Sequence, residues 1–76
     1  MPHVIVKLAS GRSDTTKARI AEAVTKAIVA NAGCEGAAVS VAIEDVEPAD
    51  WTEKVYKPDI AAHWAALYKK PGYEPK

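Results

Sequence analysis

The chain opens Met1-Pro2 and runs at once into the apolar segment His3-Val4-Ile5-Val6-Lys7-Leu8. Once Met1 is removed, as is usual when a small residue or proline follows, Pro2 carries an N-terminal secondary amine. No internal proline has one. Such a group is a base, and an ordinary N-terminal amine titrates near ~8. Burial and neighbouring positive charge both disfavour its ammonium form, so a modest depression leaves a neutral proton acceptor at working pH. The other reactive side chains form no comparable set. His3 and His63 are the only histidines and stand far apart, and Cys34 is the only cysteine. That pattern excludes an intrachain disulfide and a cysteine-based zinc site, and neither a metal nor another cofactor is expected. Asp59 and His63 stand one helical turn apart and read as a surface pair. Glu53 reads as a solvated side chain.

A chain of 76 residues makes a single domain, residues 1–76, close to the size at which one chain struggles to bury a core. The apolar share is 49%, yet much of it is alanine. There is no phenylalanine, so two tryptophans and three tyrosines supply the large aromatic surface. With no disulfide or metal to help, self-association is the expected support. Lysine plus arginine balance aspartate plus glutamate at ten each, which gives no footprint for nucleic acid or an anionic membrane. No stretch approaches the ~20 apolar residues of a membrane span, and no signal-peptide pattern is present. A free cysteine in such a chain makes the cytoplasm the expected compartment.

These groups have to be positioned by few elements. Residues 3–8 alternate, with Val4, Val6 and Leu8 on one face and His3, Ile5 and Lys7 on the other. That period of two predicts a strand, ended by Ser10-Gly11. Ser13 suits the N-cap and Asp14 the first turn of a helix running to about Asn31, and Gly33 suits its C-cap. Ile20, Val24, Ala27, Ile28 and Asn31 form its stripe. A second strand is predicted over 38–46, with Val39, Val41 and Ile43 facing one way and Ala38, Ser40, Ala42 and Glu44 the other. Residues 47–51 read as a turn. Pro58 suits the first turn of a second helix, with Ile60, Trp64, Leu67 and Tyr68 on its apolar side. Lys69 and Lys70 suit its end, and Pro71-Gly72 stops it. Residues 73–76 are expected to be loose or docked on a neighbour.

Strand, helix and strand make one right-handed β-α-β unit with parallel strands, an α/β (α+β) fold. Two strands are too few for a stable sheet. The expectation is therefore a homodimer, or a higher homo-oligomer, whose four-stranded sheet carries helices on one face. Ser40 and Ala42 are left on the other.

Pro2, a short strand, and Gly11-Arg12-Ser13-Asp14 opening a helix together resemble the 4-oxalocrotonate tautomerase family. The resemblance continues through Ile43-Glu44-Asp45-Val46 to Trp51, about the first fifty residues. The longer C-terminal segment ending Lys69-Lys70-Pro71-Gly72-Tyr73 is similar to the dimeric bacterial branch that accepts phenylpyruvate-type enols. The resemblance implies that Pro2 shuttles a proton on a 2-oxo acid or its enol, without a cofactor. It implies that Arg12 binds the carboxylate or polarises the oxo group, and that Trp51 walls the pocket against water. A guanidinium matches a carboxylate with two parallel donors and stays charged when buried. Hexameric relatives carry a second arginine where this chain has Ser40, which can donate a hydrogen bond but not match a second carboxylate. The implied substrate is therefore a monocarboxylate with an apolar tail.

Two other readings stay open. Trp51-Thr52-Glu53 reproduces the spacing of a dehalogenating branch in which an acid activates water, so Pro2 and Glu53 could hydrate or dehalogenate an unsaturated acid. The chain could also be a non-catalytic dimeric binding or assembly protein. Geometry adds a constraint to the tautomerase reading. From Pro2 to Ala9 an extended strand spans about 23 Å, so Arg12 and Trp51 should lie far from Pro2 of their own chain. A site shared across an antiparallel interface is expected, with Pro2 and Ser40 from one chain and Arg12 and Trp51 from its mate.

Overall fold

Strand β1 (His3–Ala9) lies parallel to β2 (Ser40–Val46), in register from His3 opposite Ser40 to Ala9 opposite Val46. The structure is a computed structural model and describes residues 1–75. The ladder continues past the strand ends: Ser40 N–H donates to Pro2 O at 3.1 Å and Ser10 N–H to Val46 O at 2.9 Å. β2 begins at Ser40, not Ala38, because Gly36–Ala38 form a 3-10 turn first.

Helix α1 (Asp14–Ala32) is the crossover between the strands. Its start is chemically fixed, since Ser13 Oγ accepts from Thr16 N–H at 3.1 Å. Its end is fixed too: Gly33 takes a left-handed φ of 69° and its N–H returns to Val29 O, a position that costs a glycine nothing. Ile20, Val24 and Ile28 of the predicted stripe are half-buried, whereas Ala27 and Asn31 are exposed. Lys17 Nζ reaches from α1 to Asp45 Oδ2 at 2.8 Å, on the strand face shared by Val41 and Ile43. On the opposite face, with His3, Ile5, Ser40 and Ala42, Ile5 is 54% exposed.

The C-terminal part departs from the expected second helix. It starts earlier, straight after Trp51, as a π-helical segment Thr52–Ile60 with Pro58 inside it. A proline ring clashes with the carbonyl four residues back and donates no hydrogen bond. Widening the turn relieves this, and Ala61 N–H is shared between the carbonyls of Lys57 and Tyr56. A 3-10 segment Ala61–Ala66 follows, broken by a non-helical His63. The helix thus stops before Lys69 and Lys70, and Tyr68 projects into solvent instead of packing on an apolar side.

Among the described residues only Val55 and Tyr56 are buried, at 4% and 9% exposure. The chain is also extended, with a radius of gyration of 13.9 Å against about 11 Å for a compact domain of this length. The thin core inferred from composition is thus thin in fact.

One ion pair ties the C-terminal segment to the sheet. The partner of Asp59 is Lys7 of β1, at 2.5 Å, where the sequence offered His63. This bond, ahead of any burial effect, raises Lys7 above its ordinary value of 10.5. A proton held more tightly in the folded chain than in the unfolded one stabilises the fold fully below the ordinary value. That contribution is lost as pH rises through the raised folded value. The Lys7→Met variant should therefore show a shallower alkaline fall in its urea midpoint than the parent, between about pH 9 and 12. Superimposable pH profiles would remove the pair from the fold's support.

Candidate active site

The residues with chemistry fall at the two ends of the strands. At one end Pro2 is half-buried, and its carbonyl is bonded to the backbone of Ser40. The Ser40 side chain stands opposite His3, and Ser40 Oγ and His3 Nδ1 share a hydrogen bond of 2.6 Å. The parallel register brings Pro2 and Ser40 together. It also adds a group that the residue patterns left unassigned, because His3 counted only as an outward strand residue.

At the other end Gly11 adopts φ 120°, a conformation that L side chains rarely take. The chain turns there so that Arg12 Nη1 donates to Ala9 O at 2.9 Å. Ala9 lines a pocket of about 410 Å³ together with Pro48, Trp51 and Tyr73, within the range of small-molecule sites. Trp51 is half-buried and its indole N–H donates to Tyr73 Oη at 2.8 Å. Tyr73 in turn packs its ring on Tyr56, 5.7 Å between centroids and tilted by 56°. The segment after the helix therefore docks on its own chain at Tyr73; Lys76 of that segment lies outside the described residues. No local pattern in the sequence joins Tyr73 to Trp51.

Arg12 is thus tethered to Ala9, one of the residues lining an apolar, aromatic-walled pocket, and about 20 Å of strand separates Ala9 from His3. The indole N–H of Trp51 is spent on the Tyr73 oxygen, and Ala9 and Pro48 add apolar lining, so the pocket offers a ligand mainly apolar surface. Glu53 lies two residues beyond Trp51 with 70% of its side chain exposed, held by Lys57 Nζ at 2.5 Å. Among the described residues no group of three or more His, Cys, Asp or Glu could hold a metal ion. No helix there is long and apolar enough to cross a membrane.

A family model described as Tautomerase enzyme matches residues 2–54. A protein of Xylella fastidiosa (strain 9a5c) named "Probable tautomerase" is 45% identical over 73 residues, covering 96% of this chain and 89% of that protein. Tautomerase PptA of Cronobacter sakazakii is 36% identical over 75 residues, covering 97% and 99%. Among solved structures, TomN, a 4-oxalocrotonate tautomerase homologue in the tomaymycin biosynthetic pathway, is similar with a TM-score of 0.65 and 33% identity. That likeness covers 84% of this chain and 95% of TomN. The stretch matched by the family model contains Pro2, Arg12, Ser40 and Trp51, and stops short of Tyr73.

Proposed function

The chain belongs to the tautomerase family of isomerases, and from that premise we propose that it ketonises the enol of a 2-oxo monocarboxylate without a cofactor. The neutral amine of Pro2, free once Met1 is cleaved, takes the enol hydroxyl proton. The oxygen's electron pair closes to a carbonyl as carbon 3 takes the proton back, so nothing is consumed. Arg12 holds the carboxylate, Trp51 keeps water from the amine, and Ser40 donates a hydrogen bond beside Pro2.

The observation that supports this reading is the apolar pocket with an arginine tethered to Ala9, one of its lining residues. A carboxylate on the guanidinium directs an aryl or alkyl tail into the pocket, and Ser40 offers no charge for a second carboxylate. The test is the ultraviolet absorbance decay of phenylenolpyruvate with Met1-free protein. Rapid decay is expected, and a rate equal to the protein-free rate would overturn the proposal.

With the two ends of β1 held apart, the proposed site draws on two chains, which makes a homodimer the proposed working form and the cytoplasm its proposed compartment. Sedimentation equilibrium should give about twice the 8.1 kDa of one chain at assay concentrations, with activity falling on dilution as the dimer separates. An active monomer would overturn the shared site.

A further inference from the structure

We propose that Tyr73 is the specificity-determining residue of the site, a movable partition that limits the length of the substrate's apolar tail. Tyr73 lines the Trp51 pocket and also a second cavity of about 400 Å³ bounded by Trp64, Pro71, Gly72 and Glu74. One residue therefore borders two spaces of similar size. Its position is fixed at two points: the hydroxyl accepts from Trp51 Nε1 at 2.8 Å, and the ring leans on buried Tyr56. The backbone that carries it lies beyond the last helical turn, just after Pro71-Gly72. No regular element holds that backbone, so the two side-chain contacts decide where the partition stands.

With Tyr73 in place, an apolar tail anchored by Arg12 ends against the phenol ring. With the ring removed, the tail continues toward Trp64. The ring itself sets the limit, and its hydroxyl only positions it. This rests on the reading of the Trp51 pocket as the seat of the substrate's tail. Residue 73 lies outside the 2–54 stretch that the family model matches, in the C-terminal segment that follows the β-α-β unit.

The experiment compares Tyr73→Ala, Tyr73→Leu and Tyr73→Phe with the parent full-length protein, using the enols of phenylpyruvate and indolepyruvate. Tyr73→Ala should raise the indolyl-to-phenyl ratio of kcat/KM about tenfold, with Tyr73→Leu between it and the parent. Tyr73→Phe keeps the ring and its contact on Tyr56 but loses the bond to Trp51, so its ratio should stay nearer the parent's than that of Tyr73→Ala. In the same variant the indole N–H resonance of Trp51, identified by its loss in Trp51→Phe, should shift while that of Trp64 stays. Calorimetric titration with phenylpyruvate and indolepyruvate reads the same selectivity as a ratio of Kd values without turnover. An unchanged Kd ratio in the alanine and leucine variants overturns the partition. A parent that binds both acids but turns over neither enol overturns the proposed reaction, and the Kd ratio then judges Tyr73 alone. Absence of binding to either acid overturns both.

Discussion

Replacing Pro2 with alanine should lower kcat for phenylenolpyruvate by about 10²- to 10⁴-fold, the usual contribution of a positioned general base. The substitution is a sharp one because little else changes. Pro2 contributes its carbonyl to the ladder with Ser40, and alanine keeps that carbonyl. The new N-terminus is still an amine, but a primary one without the ring that fixes its direction. A second form of the protein gives a stronger effect still. If Met1 is retained, the Pro2 nitrogen is an amide with no basic pair, and activity should fall to the protein-free rate. Intact-mass measurement separates the cleaved and uncleaved forms, so turnover can be correlated with the cleaved fraction. Full activity in a sample that keeps Met1 would remove Pro2 as the base, whatever the alanine variant does.

Arg12→Ala should cost about a hundredfold in kcat/KM, the loss expected when one partner of a charge-assisted pair is removed. Lysine at this position should recover part of it, since it restores the charge but not the planar fork. The informative experiment combines the two variants. β1 runs from His3 to Ala9, so Arg12 and the Pro2 amine of one chain are held apart by a rigid strand. If each site takes Pro2 from one chain and Arg12 from its mate, a Pro2→Ala/Arg12→Ala heterodimer has one intact site and one with both losses. An equimolar mixture re-equilibrated through unfolding should then recover about a quarter of the parent activity, half the dimers being mixed and half their sites intact. If each chain carried its own site, no mixed dimer would have an intact one. Recovery near zero, with heterodimers demonstrated by native mass spectrometry, would sink the shared site.

The two ends of the site were legible to different degrees. The alternation of residues 3–8 placed β1, and Ser13, Asp14 and Gly33 placed both ends of α1, because each signal acts within a turn or two of itself. From those elements followed the parallel pairing and the wide separation of Pro2 from Arg12. Pro58 misled for an equally local reason. Proline suits a first turn, and its tolerance inside a π-helical segment is a tertiary matter, since that segment carries Val55 and Tyr56, the two side chains buried most deeply among the described residues. The expectation that residues 73–76 are loose or docked on a neighbour follows from Pro71-Gly72 ending a helix, a local signal that says nothing of where Tyr73 returns.

The sequence by itself determined the β-α-β elements, their order, the family and the residue types on offer for proton chemistry, because backbone preference and residue type are properties of short stretches. Only the tertiary structure decided that Lys7 pairs with Asp59, that His3 stands against Ser40, and that Tyr73 returns to Trp51. Those contacts depend on where the chain comes back after a long excursion. Long-range return is set by the summed packing of the whole molecule, and no single stretch of sequence encodes it.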